Sequence, residues 1–211
     1  MIQPNMDFLM IANHVWRGSR QVYRWSLDIL SALEHLHGLD PVIIHRDLKP
    51  ANILLTRDRP RRLKLADFGL AKRFSRAELL QEHGLRRAHT CNIGTPKYAA
   101  PEVFHSMSIG EDGQLAAVYT EKADVYSAAL VLWYLLTGRR PKGRVTSDPH
   151  ARPEAGPAQR RWPELAALLE RMWAHEPDAR PTAGECAAAV RQMTVRAPAC
   201  GAAADGGCAV Q

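Results

Sequence analysis

His45-Arg46-Asp47-Leu48-Lys49-Pro50-Ala51-Asn52 is the stretch that decides the fold of this 211-residue chain. It sets an aspartate, a lysine and an asparagine within six positions, after the β-branched run Val42-Ile43-Ile44 and before the apolar Ile53-Leu54-Leu55. Twenty residues beyond Asp47 stands Asp67-Phe68-Gly69, followed by Gly94-Thr95-Pro96-Lys97-Tyr98 and then Ala100-Pro101-Glu102. Each string alone is weak, because a single Asp or Asn in a loop is usually a turn or cap residue. Their order and spacing carry the signal.

Around this stretch the local patterns are of two kinds. Val22, Trp25, Leu27, Ile29, Leu30, Leu33 and Leu36 recur at helical spacing between Arg20 and His37, with Gly38 as the stop. Val42–Ile44 suits an extended piece leading into His45. Asn52–Leu55 and Arg62–Leu65 read as two short strands joined by a turn at Asp58–Pro60. A hairpin there carries the first loop on one side and Asp67 on the other, and so brings residues twenty apart in sequence to one place. From Asp67 to Glu102 periodicity is absent, and a long functional or disordered loop is expected. Phe104–Val118, with Gly110-Glu111-Asp112-Gly113, reads as an exposed loop. Asp124–Thr137 is apolar nearly all round, the pattern of a helix buried in mid-domain, and Gly138 ends it. Arg139–Pro163 reads as irregular, while Leu165–Trp173 and Gly184–Met193 read as amphipathic helices. The Ala/Gly-rich tail from Ala197 is expected to be disordered.

Phosphoryl transfer to a hydroxyl needs a group that orients the hydroxyl and takes its proton, oxygen ligands for divalent cations, and a positive charge for the transferred group. Asp47 can supply the first, Asn52 and Asp67 the second as hard ligands suited to magnesium, and Lys49 the third. The ordered motifs resemble those of the eukaryotic protein kinases. The resemblance implies that Asp47 is the catalytic-loop aspartate, Lys49 the catalytic-loop lysine of the serine/threonine class, and Asn52 and Asp67 the magnesium ligands. It implies that Thr95 contacts Asp47 and Lys49, that Leu54 joins Lys49, Asn52 and Asp67 in binding the nucleotide, and that ATP and Mg2+ are the cofactors and proteins the substrates. Trp133-Tyr134-Leu135-Leu136-Thr137-Gly138 and Met172-Trp173-Ala174-His175-Glu176-Pro177-Asp178 are similar to the tyrosine-kinase-like group of serine/threonine kinases.

The same resemblance assigns supporting residues. His45 and Phe68 belong to a hydrophobic stack under the site, and Gly69 completes the metal-binding loop. Asp124 hydrogen-bonds the catalytic-loop backbone, and Glu102 pairs with Arg180 in the interior. Arg46 is the arginine that meets a phosphorylated residue, with Lys72 as a second cation, Thr90 as the first candidate phosphosite and Ser75 as the second.

The expected fold is mainly α: a helical bundle like a kinase C-terminal lobe, with a small β-hairpin carrying the catalytic and metal loops. Residues 20–195 form this lobe, 1–19 an uncertain segment and 196–211 the tail. Only 44 residues precede His45, where a nucleotide-covering lobe needs roughly 80–100. No Gly-x-Gly-x-x-Gly or Val-Ala-x-Lys occurs in them. The chain is therefore expected to be a fragment of a serine/threonine kinase lacking its N-terminal lobe. The alternative is an inactive kinase-lobe module that engages kinase partners or substrates.

Composition narrows the class further. An apolar fraction of 46% with 24% charged residues is ordinary for a globular domain, and no apolar run of about 18 residues occurs. Cys91, Cys186, Cys200 and Cys208 have no metal or disulfide spacing, so reduced thiols and a cytoplasmic setting are expected. The net charge of +6 gathers in arginine clusters such as Arg57–Arg62. Aromatic residues do not interleave with them, so no nucleic acid is expected. The terminal Cys208-Ala209-Val210-Gln211 has the form of a farnesylation site, and a lipid on Cys208 would bring the chain to membranes. Oligomeric state is not legible.

Overall fold

In the computed structural model the described residues are 19–57, 59–80, 89–90, 94–105, 107–109, 115–117, 120–141, 152–154 and 156–196. The first helix, α1 (Ser19–Gly38), buries Val22, Trp25, Ser26, Ile29, Leu30 and Leu33. That is one stripe at the three-and-four spacing that its apolar residues dictate.

Two antiparallel pairs follow, one nested in the other. β1 (Val42–Ile44) pairs with β4 (Lys72–Phe74), in the register Val42 to Phe74 and Ile44 to Lys72. Between them β2 (Ile53–Leu55) pairs with β3 (Leu63–Leu65), in the register Ile53 to Leu65 and Leu55 to Leu63. The first loop, 45–52, joins β1 to β2; the second, 66–71, joins β3 to β4. Nesting lays these two loops side by side, which sequence separation alone does not.

A short helix, α2 (Arg76–Leu80), precedes β5 (His89–Thr90). After α3 (Glu102–His105) come β6 (Met107–Ile109) and β7 (Leu115–Ala117). These strands form a three-stranded sheet in the order β5-β7-β6. Both regions were expected to be aperiodic, and here the structure differs. Strands of two or three residues contain too few alternations to register as a pattern, and the β5–β7 pairing joins His89 to Ala117 far along the chain. Gly110–Gly113 lies outside the described residues.

The interior is organised on α4 (Glu121–Thr137), in which every residue from Ala123 to Leu136 is buried. Thr120 caps its start, its hydroxyl oxygen accepting from the Lys122 N–H at 3.3 Å. Gly138 ends it at φ 67°, with its N–H on the Tyr134 carbonyl at 2.8 Å; that left-handed turn favours glycine. After a single helical turn, α5 (Gly156–Gln159), α6 (Pro163–Met172) buries Leu165, Ala166, Leu168, Leu169 and Met172. The last helix, α7 (Ala183–Arg196), lies along α1. It opens with a reciprocal cap: Thr182 N–H and Oγ1 donate to Glu185 Oε2 at 2.7 and 2.9 Å, and the Glu185 N–H returns to Thr182 Oγ1 at 3.2 Å. The described chain is thus mainly helical with short strands. No helix in it is long and apolar enough to cross a membrane.

Candidate active site

The first loop is fixed from beneath by α4. Asp124 is buried in the first turn of that helix, and its carboxylate accepts the backbone N–H of His45 at 2.8 Å and of Arg46 at 2.9 Å. A third bond comes from His37, at the end of α1, whose Nε2 lies 3.0 Å from Asp124 Oδ2. Burial by itself raises the Asp124 pKa. The His37 hydrogen bond and charge and the two backbone donors outweigh it and hold the carboxyl below its ordinary value. Asp124 thus stays ionised and grips the loop. Arg46 accepts a φ of 64° there, a conformation that costs a non-glycine residue of order 1–3 kcal/mol.

Three of the expected residues meet around the carboxylate of a fourth, Asp47. Thr95 Oγ1 donates to Asp47 Oδ1 at 2.8 Å. Lys49 Nζ donates to Asp47 Oδ2 at 2.6 Å. Asn52 Nδ2 donates to the Asp47 carbonyl at 2.8 Å and to Oδ2 at 3.2 Å. Asp47 and Asn52 are buried, while Lys49 and Thr95 are half-buried. Thr95 is brought in by its neighbour: Gly94 sits at φ 100°, so close to the loop that a Cβ there would lie 2.6 Å from the Arg46 carbonyl oxygen. Only glycine permits that approach.

The second loop adjoins through backbone. The Ala66 N–H donates to the Asn52 carbonyl at 2.9 Å, and His45 Nε2 lies 3.1 Å from the Ala66 carbonyl. Asp67 follows at φ 61°. Its Oδ1 accepts the Gly69 N–H at 3.3 Å, and no hydrogen bond joins its side chain to Asp47, Lys49 or Asn52 among the described residues. The Phe68 ring lies 5.0 Å from that of His45, tilted by 48°, and is 46% exposed. Leu54 is half-buried in β2.

The remaining residues are spread around this centre. Arg46 Nε donates to the Leu70 carbonyl at 2.7 Å. Lys72 lies in β4 with Nζ 5.6 Å from the Phe74 ring centre. Ser75 immediately precedes α2, its carbonyl accepting from Leu79 N–H at 3.3 Å. Thr90 lies in β5 opposite Ala116; its side chain, like Cys208, is outside the described residues. Arg180 is buried against Glu102, Nη1 to Oε1 at 2.6 Å and Nη2 to Oε2 at 2.8 Å.

Sequence reasoning missed His37 and Asp28, and it named Gly94 in its motif without a role. Asp28 accepts from Arg62 Nε at 2.7 Å and from Leu63 N–H at 2.8 Å, tying the β2–β3 hairpin to α1. A polar residue inside an apolar stripe was the available signal for Asp28. His37 offered none, because its partner lies 87 residues away.

The chain matches the model of the protein kinase domain over residues 5–190, which takes in most of the segment before α1 that the sequence patterns left undefined. It is 35% identical over 164 residues to "Probable serine/threonine-protein kinase drkC" of Dictyostelium discoideum, covering 74% of this chain and 19% of that protein. It is 35% identical over 173 residues to the serine/threonine-protein kinase STY46 of Arabidopsis thaliana, covering 78% and 26%. With the mitogen-activated protein kinase kinase kinase mom-4 of Caenorhabditis briggsae it shares 33% identity over 171 residues, covering 78% and 27%. The matched stretches are about a fifth to just over a quarter of these relatives' length. A carboxylate held by a lysine, an asparagine and a threonine within motifs of this order, together with a domain match over most of its length, places the chain in the protein kinase family.

Proposed function

We propose that the chain is the C-terminal lobe of a serine/threonine protein kinase, and that together with a nucleotide-covering lobe it transfers the γ-phosphoryl group of ATP to a serine or threonine hydroxyl of a protein. The observation that carries this reading is the Asp47 carboxylate, with Oδ1 on Thr95 and Oδ2 on Lys49 and Asn52. In this reading Asp47 orients the acceptor hydroxyl and takes its proton. Lys49, beside it, meets the charge on the transferred group. Thr95 keeps the carboxylate turned toward the acceptor.

The donor set suits magnesium. Asn52 spends its Nδ2 on Asp47, which leaves its amide oxygen as an acceptor, and Asp67 is an exposed carboxylate on the adjoining loop; both are hard oxygen ligands. When bound, magnesium neutralises the phosphates of ATP. Leu54 is the apolar contact for the nucleotide. Control is assigned to Arg46 and Lys72, acting on phosphorylated Thr90 or Ser75, and membrane attachment to a lipid on Cys208. The exposure of Phe68 at 46% and Leu70 at 37% favours a second reading, an inactive lobe that engages a partner through this face.

One pair of measurements separates the two. With the chain joined to a nucleotide-covering lobe and Mg-ATP at a hundred times Kd, binding to the folded state alone adds about 2.7 kcal/mol to stability. Asp47→Asn should keep that shift and lower phosphotransfer by about 10²–10⁴-fold. No shift, or unchanged turnover in the variant, removes the kinase reading.

A further inference from the structure

The turn between β2 and β3 carries a concentration of charge that the phosphotransfer reading does not use. Positions 57–64 hold Arg57, Arg59, Arg61, Arg62 and Lys64 against the single acid Asp58. Arg59, Arg61 and Lys64 are exposed.

This turn is fastened. The Thr56 N–H donates to the Arg62 carbonyl at 2.9 Å, and the Arg62 N–H donates to Thr56 Oγ1 at 2.9 Å, closing its neck. Its return strand is held by one face of α1. The Arg61 carbonyl accepts Trp25 Nε1 at 3.1 Å and Gln21 Nε2 at 3.5 Å, and Asp28 holds Arg62 and Leu63. Gln21, Trp25 and Asp28 form an i, i+4, i+7 stripe, and exposed Arg24 borders it. Arg62 is taken by Asp28. Arg24, Arg59, Arg61 and Lys64 form no ion pair among the described residues.

We propose that this turn is a docking site for an acidic segment of a partner protein, whose Asp and Glu carboxylates pair with Arg24, Arg59, Arg61 and Lys64. Guanidinium groups match carboxylates in a two-pronged geometry. The anchored backbone lowers the ordering cost of binding, and the local positive field draws an acidic segment in. Other anionic partners fit less well. The exposed large apolar side chains among the described residues are Phe68, Leu70 and Val195, so the turn has no apolar group to insert into a bilayer. Trp25 is buried, so no aromatic platform awaits the bases of a single strand.

The test uses the full chain and a fluorescein-labelled peptide of about eight glutamates, followed by anisotropy at rising salt. Binding is expected to weaken with salt and to fall at least about tenfold in Arg59→Glu/Arg61→Glu/Lys64→Glu. Arg160→Glu/Arg161→Glu, an exposed arginine pair outside the turn, should bind as the wild type does. Circular dichroism verifies folding, and Arg59→Gln/Arg61→Gln serves if the reversal variant does not fold. Equal affinity of wild type and the turn variants overturns the proposal. So does tighter, turn-dependent capture of phosphatidylserine vesicles or duplex DNA than of the peptide. The outcome is independent of Mg-ATP binding and turnover, so it stands or falls apart from the kinase reading.

Discussion

Arg180 donates all five of its N–H groups, two of them to Glu102. The other three go to the carbonyls of Ala174 at 2.8 Å, Lys122 at 3.1 Å and His175 at 2.9 Å. Arg180 is 1% exposed. One guanidinium therefore ties the segment after the Thr95 turn, the start of α4 and the loop after α6, and it leaves no donor unsatisfied. Removing one partner of such a pair strands a buried charge and costs about 3–5 kcal/mol. Glu102→Ala should lower the Tm and the urea midpoint accordingly. Arg180→Lys should also destabilise, because an ammonium group has three donors and no fork. Chemical denaturation of both variants measures this, and a wild-type midpoint for Glu102→Ala would show the pair to be energetically idle.

Asp124 gives a pH dependence with a definite sign. Its folded pKa lies below the ordinary aspartate value of 3.8, so the stabilisation it contributes is fully present above about pH 4 to 5 and is lost as pH falls through the folded value. Asp124→Asn should be less stable at neutral pH, because an amide cannot present acceptors to all three donors. It should also show a shallower loss of stability on acidification. Urea titrations from pH 7 down to pH 3 test both, and parallel curves for the two proteins would count against this assignment.

Gly94→Ala should pull Thr95 off Asp47. The new Cβ would lie 2.6 Å from the Arg46 carbonyl oxygen at a φ of 100°, a clash with backbone in a strained conformation, with a cost of order 1–3 kcal/mol. Faster hydrogen exchange at the Tyr98 amide, now bonded to the Thr95 carbonyl at 2.9 Å, is the expected readout.

Cys186 should be inert in the native protein. It is 0% exposed, and burial pushes its thiol up to about 12, so almost no thiolate exists at neutral pH. Iodoacetamide at pH 8 should leave Cys186 unmodified in peptide mass spectra until the chain is unfolded in guanidinium chloride.

The parts of the molecule legible beforehand are those encoded over short spans. The stripe Val22, Trp25, Ile29, Leu33 announces α1, the unbroken apolar run announces the buried α4, and Asp47, Lys49 and Asn52 share one loop. The sheet β5-β7-β6 was hidden because its strands are too short to repeat a period. The role of His37 was hidden because a histidine near a helix end looks the same with or without Asp124 beneath it.

What the sequence determined by itself is the chemical inventory: which side chains stand within a few residues of one another, and therefore Asp47 with Lys49 and Asn52. The contacts of Thr95 with Asp47, of Asp124 with the loop and of Arg180 with Glu102 were implied by the resemblance alone, and only tertiary structure added His37 beside Asp124 and the three carbonyls that take the remaining donors of Arg180. The physical reason is range. Backbone geometry fixes neighbours within a turn or a hairpin, whereas contacts between residues 48, 87 or 78 positions apart exist only once the apolar helices have packed and nested strands have laid two loops side by side.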